Sequence, residues 1–115
     1  MQRKSSLFLS DILSSIDKIK TYTKDLTFND FISSELHIDA VTRNFEIIGE
    51  AVSYLPKELI KTYSHIPWRT IKDLRNTVIH QYWKVDYEIE WEIIQNKLDE
   101  LEEQIKEIIE LEKKK

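Results

Sequence analysis

The scarcity of chain-breaking residues is the feature of this sequence that most constrains its fold. The 115 residues include one glycine and two prolines. Folds rich in β-strands reverse direction every few residues, and their turns draw heavily on glycine, proline and short polar residues. Because this chain has so few breakers, it has little room for such turns. The composition therefore predicts long helices.

Length and composition indicate one globular domain. A chain of 115 residues is of single-domain size, and it buries roughly two-thirds of the surface that it exposes when unfolded. Apolar residues make up 41% of the chain and charged residues 33%, a balance typical of folded proteins rather than disordered ones. We therefore expect residues 1–115 to form one domain.

The composition also argues against several classes of protein. The absence of cysteine excludes disulfides and thiolate metal sites and fits a reducing cytoplasm. No apolar run approaches the roughly 20 residues of a membrane span, and the N-terminal run is too short and interrupted for a signal peptide. The net charge of −4 does not indicate a general nucleic-acid binder, so any RNA contact needs a local basic site. We expect a cytoplasmic protein without membrane contact.

Apolar periodicity, cap residues and breakers together place the helices. The predicted helices cover residues 6–24, 28–32, 35–55, 57–63, 68–85 and 86–113. The four long ones predict an all-α antiparallel bundle of four main helices with short connecting helices. Thr27 and Asp30 form a candidate capping box, and Asp86 is a candidate N-cap. The last helix, at roughly 42 Å, is expected to extend past its neighbours and to offer its overhang to a second subunit.

No motif for a bound phosphate, nucleophile or metal is found elsewhere in the chain. There is no Gly-rich phosphate loop, no Ser-His-Asp arrangement and no His/Asp cluster with metal-ligand spacing. We therefore expect no cofactor and no metal. The many carboxylates are expected to lie on helical surfaces.

Most of the chemistry is concentrated in residues 68–85, WRTIKDLRNTVIHQYWKV. Apolar residues recur there at helical steps: Ile71, Leu74, Val78 and Ile79. At about 100° per residue, Asn76 and His80 would project from one face of a helix, whereas Arg75 and His80 would differ by roughly 140°. They converge only if Arg75 reaches around, if the helix loosens near His80, or if a second copy of the chain supplies one of them.

The pattern Arg75-Asn76-x-x-x-His80-x-Tyr82 resembles the R-x4-6-H motif of the HEPN superfamily, in the R-x4-H-x-Y form of the HepT-like toxins. Three further blocks are similar to that family in the same order: residues 43–51 (RNFEIIGEA), 66–69 (IPWR), and 85–86 (VD) followed by 91–94 (WEII). The match runs from about residue 27 to about residue 109. Family members often carry glycine between the histidine and the tyrosine, where this chain has Gln81.

This resemblance implies a HEPN-like bundle and a metal-independent endoribonuclease. His80 would act as the acid or base, since a histidine pKa lies near working pH. Arg75 would stabilise the charged phosphate, and Asn76 would orient the phosphate or His80. The resemblance also implies a homodimer in which two motifs face one groove on the RNA substrate.

The resemblance further implies the toxin half of a type VII (HEPN/minimal nucleotidyltransferase) toxin–antitoxin pair. The partner would be a cognate minimal nucleotidyltransferase antitoxin that adenylylates Tyr82. AMP beside His80 would place charge and bulk in the groove and so inhibit cleavage. Without the family, Tyr82 would be interpreted as an ordinary packing tyrosine.

A charged stripe on the helix predicted for residues 35–55 has two interpretations. Asp39, Arg43, Glu46 and Glu50 are four, three and four residues apart, which places them on one face. They form either a surface ladder of ion pairs or, as the matching family positions imply for Arg43 and Glu50, part of the active groove.

Two alternatives to the ribonuclease hypothesis stay open, which makes three hypotheses in all. HEPN domains also occur as catalytically inactive modules that bind a nucleotide or a nucleotidyltransferase. The third possibility is a helical interaction protein without chemistry, whose main feature would be the apolar seam of the last helix. The intact Arg75, His80 and Tyr82 favour the enzyme, whereas Gln81 counts against it.

Overall fold

Helices make up most of the protein that the structure describes. The structure is a computed structural model that describes residues 3–74, 79–80 and 84–115. For residues 79–80 and 84–85 it describes the backbone only. The elements are α1 (Arg3–Thr23), α2 (Phe28–Ile32), α3 (Glu35–Ser53), α4 (Lys57–Thr62), α5 (Trp68–Lys72), β1 (Ile79–His80), β2 (Lys84–Val85), α6 (Tyr87–Asn96) and α7 (Leu98–Lys113). The predicted all-α class is confirmed, with one small strand pair added. No helix within these ranges is long and apolar enough to cross a membrane.

An antiparallel pair, α1 and α3, forms the centre of the bundle. The ring of Phe8 in α1 stacks on the ring of Tyr54, directly after α3, with 5.4 Å between the centroids. The start of α1 therefore lies beside the end of α3. The apolar residues that recur at helical steps in the two helices are buried, apart from the half-buried Leu13. The buried ones are Leu9, Ile12, Ile16 and Ile19 of α1, and Ile38, Val41, Phe45, Ile48 and Val52 of α3.

The last helix, α7, packs along α1. Near the end of α1, the Lys20 ammonium lies 2.7 Å from the Asp99 carboxylate and 3.2 Å from that of Glu102, both near the start of α7. The two helices are therefore antiparallel. The side of α7 that faces the core is apolar: Leu98, Leu101, Ile105 and Ile108 are buried.

Helix starts follow the cap residues. The Thr27 hydroxyl accepts a hydrogen bond from the backbone N–H of Asp30, and the Asp30 carboxylate accepts one from the backbone N–H of Thr27, each at 3.0 Å. This confirms the predicted capping box and the predicted bounds of α2. Asp86 accepts from the backbone N–H of Ile89 at 3.1 Å and caps α6 as predicted.

The prediction of one helix over residues 68–85 is wrong. Helix α5 ends at Lys72, and Ile79–His80 and Lys84–Val85 are extended and paired as strands. The local composition explains the strands, since β-branched and aromatic residues favour extended backbone: Val78, Ile79, Tyr82, Trp83 and Val85 crowd this stretch. The apolar residues therefore keep a helical spacing in the sequence beyond Lys72, where the helix ends.

The final helix is not continuous either. A break at Lys97, where φ is −126°, divides the predicted helix into α6 and α7. The two parts pack on different partners. Trp91 of α6 contacts the rings of Phe28 and Phe31 in α2, with centroid distances of 6.0 and 5.4 Å, whereas α7 follows α1. The break at Lys97 thus separates the part that packs on α2 from the part that packs on α1.

The overhang expected for the last helix is also absent from the described structure, because the end of α7 is hydrogen-bonded to the residue that follows α4. The hydroxyl of Tyr63, the residue after α4, donates to the Glu112 carboxylate at 2.7 Å. Lys115 lies 2.8 Å from the same carboxylate. Burial, with the bond to Glu112 as a smaller cause, raises the pKa of Tyr63 to about 12.

One carboxylate lies in the interior, contrary to the expectation that these groups occupy helical surfaces. Glu90 of α6 is fully buried, and its Oε2 accepts a hydrogen bond from the hydroxyl of Thr42 in α3 at 2.5 Å. Its Oε1 has no hydrogen-bond partner within the described structure. Burial raises the pKa of Glu90 to about 7; the bond from Thr42 opposes that rise and the charge of Asp86 adds to it.

Glu90 is expected to make the stability of the fold depend on pH. Its pKa is about 7 in the folded protein against an ordinary value of 4.5, so the folded state binds the proton more tightly than the unfolded state. The resulting stabilisation is present below pH 4.5 and is lost as the pH rises through 7, a change of about 3 kcal/mol. Relative to Glu90→Gln, the wild-type free energy of unfolding is therefore expected to fall between about pH 5 and pH 8.

Urea unfolding followed by circular dichroism at each pH measures this difference. Glu88→Gln is the matched control, since it changes an exposed carboxylate of the same helix and is expected to follow the wild type. Parallel pH profiles for the wild type and Glu90→Gln would contradict the pKa assigned to Glu90.

Candidate active site

The predicted catalytic segment follows directly on a helix that the core holds in place. Trp68 and Ile71 of α5, and Leu74 beyond it, are buried. The indole N–H of Trp68 donates to the backbone carbonyl of Tyr63 at 2.9 Å, and α5 packs on α3. The chain is therefore anchored up to the residue that precedes Arg75.

The backbone of His80 is held against the start of α6. Strand β1 pairs antiparallel with β2, so that Ile79 lies opposite Val85 and His80 lies opposite Lys84. Asp86 follows β2 immediately and caps α6. The position of His80 is thus linked, through one strand pair and one cap residue, to the position of α6.

The other residues of the predicted motif lie outside the described residues. These are Arg75, Asn76 and Tyr82, with Gln81 between the histidine and the tyrosine; for His80 the description is of the backbone. The backbone at His80 is extended rather than helical, so the angle of roughly 140° expected between Arg75 and His80 on one helix does not apply.

Arg43 and Glu50, predicted as supporting residues, are both exposed on α3. The Arg43 guanidinium lies 3.7 Å from the Glu46 carboxylate, and its side chain is 66% exposed. An exposed ion pair of this kind contributes at most about 1 kcal/mol, so Arg43 is accessible to another anion. One pair of the surface ladder is confirmed, and the role of Arg43 and Glu50 in a groove stays a prediction.

Asn44, the neighbour of Arg43 in the same sequence block, points into the bundle instead. It is buried, and its amide group donates to the backbone carbonyl of Ala40 at 2.8 Å. Its Oδ1 has no hydrogen-bond partner among the residues described. The position of Asn44 indicates a part in helix packing rather than in contact with RNA.

Charge is distributed unevenly along the chain. Residues 57–84 contain six Lys and Arg against two Asp and Glu, a net charge of +4, whereas residues 86–112 contain two Lys against eleven Asp and Glu, a net charge of −9. Arg69 and Lys72 of α5 are exposed, six and three residues before Arg75. The segment that bears the motif is therefore locally basic within an acidic chain.

A groove between α5 and the α6–α7 pair is less suited to a polyanion. It has a volume of ≈ 500 Å³ and an apolar lining that includes Ile71, Leu74, Ile93, Leu98 and Leu101. Glu92 and Glu100 also line it, and their carboxylates would repel phosphate groups. Lys97 lines the groove as well, whereas Arg69 and Lys72 are exposed on α5.

Among the described residues, no group of three or more His, Cys, Asp or Glu side chains is placed to hold a metal ion.

The pair formed by Thr42 and Glu90 was not predicted from the sequence. Its location is relevant to the site, since Thr42 precedes Arg43 on α3 and Glu90 lies in the helix that follows the His80 strand pair. One signal could have revealed it. Glu90 continues the apolar spacing of Ile94, Leu98 and Leu101 at steps of four, four and three, so a carboxylate occupies a position where a core residue is expected.

Comparison with known proteins identifies a family. The family described as "Ribonuclease HepT-like" matches residues 12–108, which include the whole motif. A search of solved structures found no match.

Several relatives match over most of the chain. A Methanocaldococcus jannaschii protein named "Gamma-glutamylcyclotransferase and putative RNase" is 41% identical over 96% of this chain, which spans 50% of that protein. A second protein of that organism, named "Putative RNase", is 42% identical over 88% of this chain and 87% of its own length. A "Putative RNase" of Caldanaerobacter subterraneus subsp. tengcongensis is 41% identical, over 92% of this chain and 95% of its own.

The family match spans the bundle from α1 to α7, and the relatives agree with the resemblance first seen in the motif. The chain belongs to the HepT-like ribonuclease family.

Proposed function

We propose that this protein is a metal-independent endoribonuclease and the toxin of a type VII (HEPN/minimal nucleotidyltransferase) toxin–antitoxin pair, acting in the cytoplasm. The observation that carries the proposal is the intact motif Arg75-Asn76-x-x-x-His80-x-Tyr82 in a chain of the HepT-like ribonuclease family. The names of the relatives, which include "Putative RNase", support the same activity.

The proposed reaction needs a base, a cation and an acid around one phosphate. A base takes the proton of the ribose 2′-OH, the 2′ oxygen attacks phosphorus, and the bond from phosphorus to the 5′ oxygen breaks as that oxygen receives a proton. His80 serves as the base or the acid, because a histidine pKa lies near neutral pH. Arg75 stabilises the extra negative charge of the pentavalent phosphate through its planar fork of donors. Asn76 orients the phosphate or His80.

The local charge supports RNA as the substrate. A chain with a net charge of −4 binds RNA only where positive charge is concentrated. Residues 57–84 supply a net charge of +4, and the exposed Arg69 and Lys72 lead up to Arg75 along α5. Lys and Arg side chains bind RNA through its backbone phosphates, so this surface recognises the RNA backbone rather than its sequence.

We further propose that two chains form a homodimer around one composite groove. A two-fold axis would bring both Arg75 side chains beside one phosphate path and so double the local positive charge. Arg43 is exposed on α3, and Arg43 and Glu50 would line the same groove. This arrangement does not require Arg75 and His80 of one chain to meet each other.

Tyr82 is proposed as the acceptor for regulation by the antitoxin. A cognate minimal nucleotidyltransferase would transfer AMP from ATP to the Tyr82 hydroxyl, releasing pyrophosphate. Tyr82 is two residues from His80 in the sequence, so the added phosphate would compete with RNA phosphate for Arg75.

One observation favours a second candidate function. Gln81 stands where family members often carry glycine, and a side chain there restricts the backbone between His80 and Tyr82. A catalytically inactive HEPN module that binds a nucleotide or a nucleotidyltransferase is the alternative that this substitution supports.

Induced expression of the chain is expected to arrest growth and fragment cellular RNA. His80→Ala and Arg75→Ala should each lower the cleavage rate by roughly 10²-fold or more, because each removes a group that acts in the transition state. His65→Ala is the matched control, an exposed histidine in the turn before α5 that should leave cleavage unchanged. Growth curves and gels of extracted RNA measure the effect; RNA that stays intact with the soluble, unmodified wild type would favour the inactive module.

Adenylylation is expected at Tyr82. After incubation with the cognate nucleotidyltransferase and ATP, mass spectrometry should show additions of AMP to the wild type and to Tyr87→Phe, but none to Tyr82→Phe. Tyr87 is the matched control, because it is exposed and five residues further along the chain. Equal modification of Tyr82→Phe would overturn the assignment.

The protein is expected to be a dimer in solution. Light scattering at micromolar concentration should give twice the mass of one 13.8 kDa chain. A monomer that cleaves RNA would contradict the composite groove.

A further inference from the structure

The helix that follows the His80 strand pair is attached to the bundle through two kinds of contact. Its apolar contacts are the Trp91 ring against α2 and the buried Ile93. Its one hydrogen bond from side chain to side chain within the described structure joins Glu90 to Thr42 of α3. Apolar contacts hold a helix against its neighbours, whereas a hydrogen bond between two particular buried groups fixes which residue faces which.

This bond lies close to both parts of the proposed active site. On the α3 side, Thr42 is followed by Arg43. On the α6 side, Glu90 is four residues from the cap residue Asp86, which directly follows β2. Four residues of helix span roughly 6 Å, so the bond lies close to the strand pair along the chain. A shift of α6 along α3 would therefore displace the strand pair as well.

We propose that Glu90 is a positioning residue for His80: its hydrogen bond with Thr42 sets the register of α6 on α3 and thereby fixes the place of the β1–β2 pair relative to Arg43. The position of the strand pair is a structural claim about this chain. Its consequence for cleavage rests on the proposed ribonuclease function.

The energetics of a buried carboxyl group support a positioning role over a stabilising one. Glu90 is removed from water, and one of its two oxygens has no partner in the described structure. Replacing buried polar groups by apolar residues of similar volume is often neutral or stabilising. The pair therefore contributes little net stability while it specifies one alignment of two helices.

Four variants separate position from stability. Glu90→Leu and Thr42→Val replace each partner by an apolar residue of similar size. Glu90→Gln keeps a group that can hydrogen-bond to Thr42. Glu88→Leu makes the same change as Glu90→Leu at an exposed position of α6 and is the control for altered charge and hydrophobicity.

The first readout is nuclear magnetic resonance of the full chain, which does not depend on activity. With a spin label on Arg43→Cys, the single cysteine of such a chain, the distances from the label to the backbone amides of His80 and Lys84 should change in Glu90→Leu and Thr42→Val. They should stay as in the wild type in Glu90→Gln and Glu88→Leu. The midpoint of urea unfolding should not fall in the double variant Glu90→Leu/Thr42→Val, in which neither partner is left unpaired; this distinguishes a displaced strand pair from a protein that unfolds.

The second readout is cleavage of RNA. Glu90→Leu and Thr42→Val should lower kcat at least tenfold with little change in KM, since the RNA backbone contacts of α5 are kept while the acid or base is misplaced. The double variant should be no slower than either single one, because both remove the same bond. Glu90→Gln should restore kcat to within a few fold of the wild type.

Unchanged distances from position 43 to the strand pair in a folded Glu90→Leu would overturn the proposal, whatever the activity. Altered distances with an unchanged kcat would overturn the positioning of His80 while leaving the structural link in place. Altered distances in a chain whose wild type does not cleave RNA would sustain the structural claim and refute the proposed ribonuclease function.

Discussion

The burial of α3 is the constraint on which the rest of the structure depends. Its buried side chains span about half of the helix circumference at 100° per residue: Ile38, Val41, Thr42, Asn44, Phe45, Ile48, Gly49, Ala51 and Val52. Burying each large apolar side chain contributes about 1.5–3 kcal/mol, so α1, α2 and α5 gather around this helix. Because α5 precedes the motif and α6 follows it, both ends of the catalytic segment are placed with reference to α3.

The interior of this bundle is not entirely apolar, and two of its buried polar residues, Thr42 and Asn44, lie near the edges of the buried face of α3. At one edge Thr42 reaches Glu90, and at the other Asn44 bonds back to its own helix. Buried polar groups cost free energy unless they are paired. The bond between Thr42 and Glu90 joins α3 to one particular residue of α6, which apolar contacts alone would not do. If Glu90 has the proposed positioning role, this part of the core contributes to the alignment of α6 on α3 more than to stability.

Local signals in the sequence predicted the elements that depend on local interactions. The capping box of Thr27 and Asp30 gave the bounds of α2, and the apolar spacing of α1 and α3 gave their buried stripes. The same spacing failed in residues 68–85, where β-branched and aromatic residues favour strands but also continue a helical pattern. It failed again at Lys97, because the break there follows from packing on two different neighbours. Neither glycine nor proline marks that position.

The candidate site divides in the same way. The roles of Arg75, His80 and Tyr82 are predicted from the resemblance of the motif to the family and stay predictions. Their setting could not be predicted from the sequence, because the burial of Glu90 and its bond to Thr42 depend on how distant segments pack. A single carboxylate at a core position of a helix looks like an exposed one until the neighbouring helix is known.

The central claim is that Arg75 and His80 cleave RNA by attack of the 2′ oxygen, without a metal. Incubating the purified, unmodified protein with RNA in excess EDTA and analysing the ends of the fragments tests this directly. The account predicts cleavage that leaves a 2′,3′-cyclic phosphate on one fragment and a 5′-hydroxyl on the other. Cleavage that requires added divalent metal, or fragments with 3′-hydroxyl and 5′-phosphate ends, would contradict it.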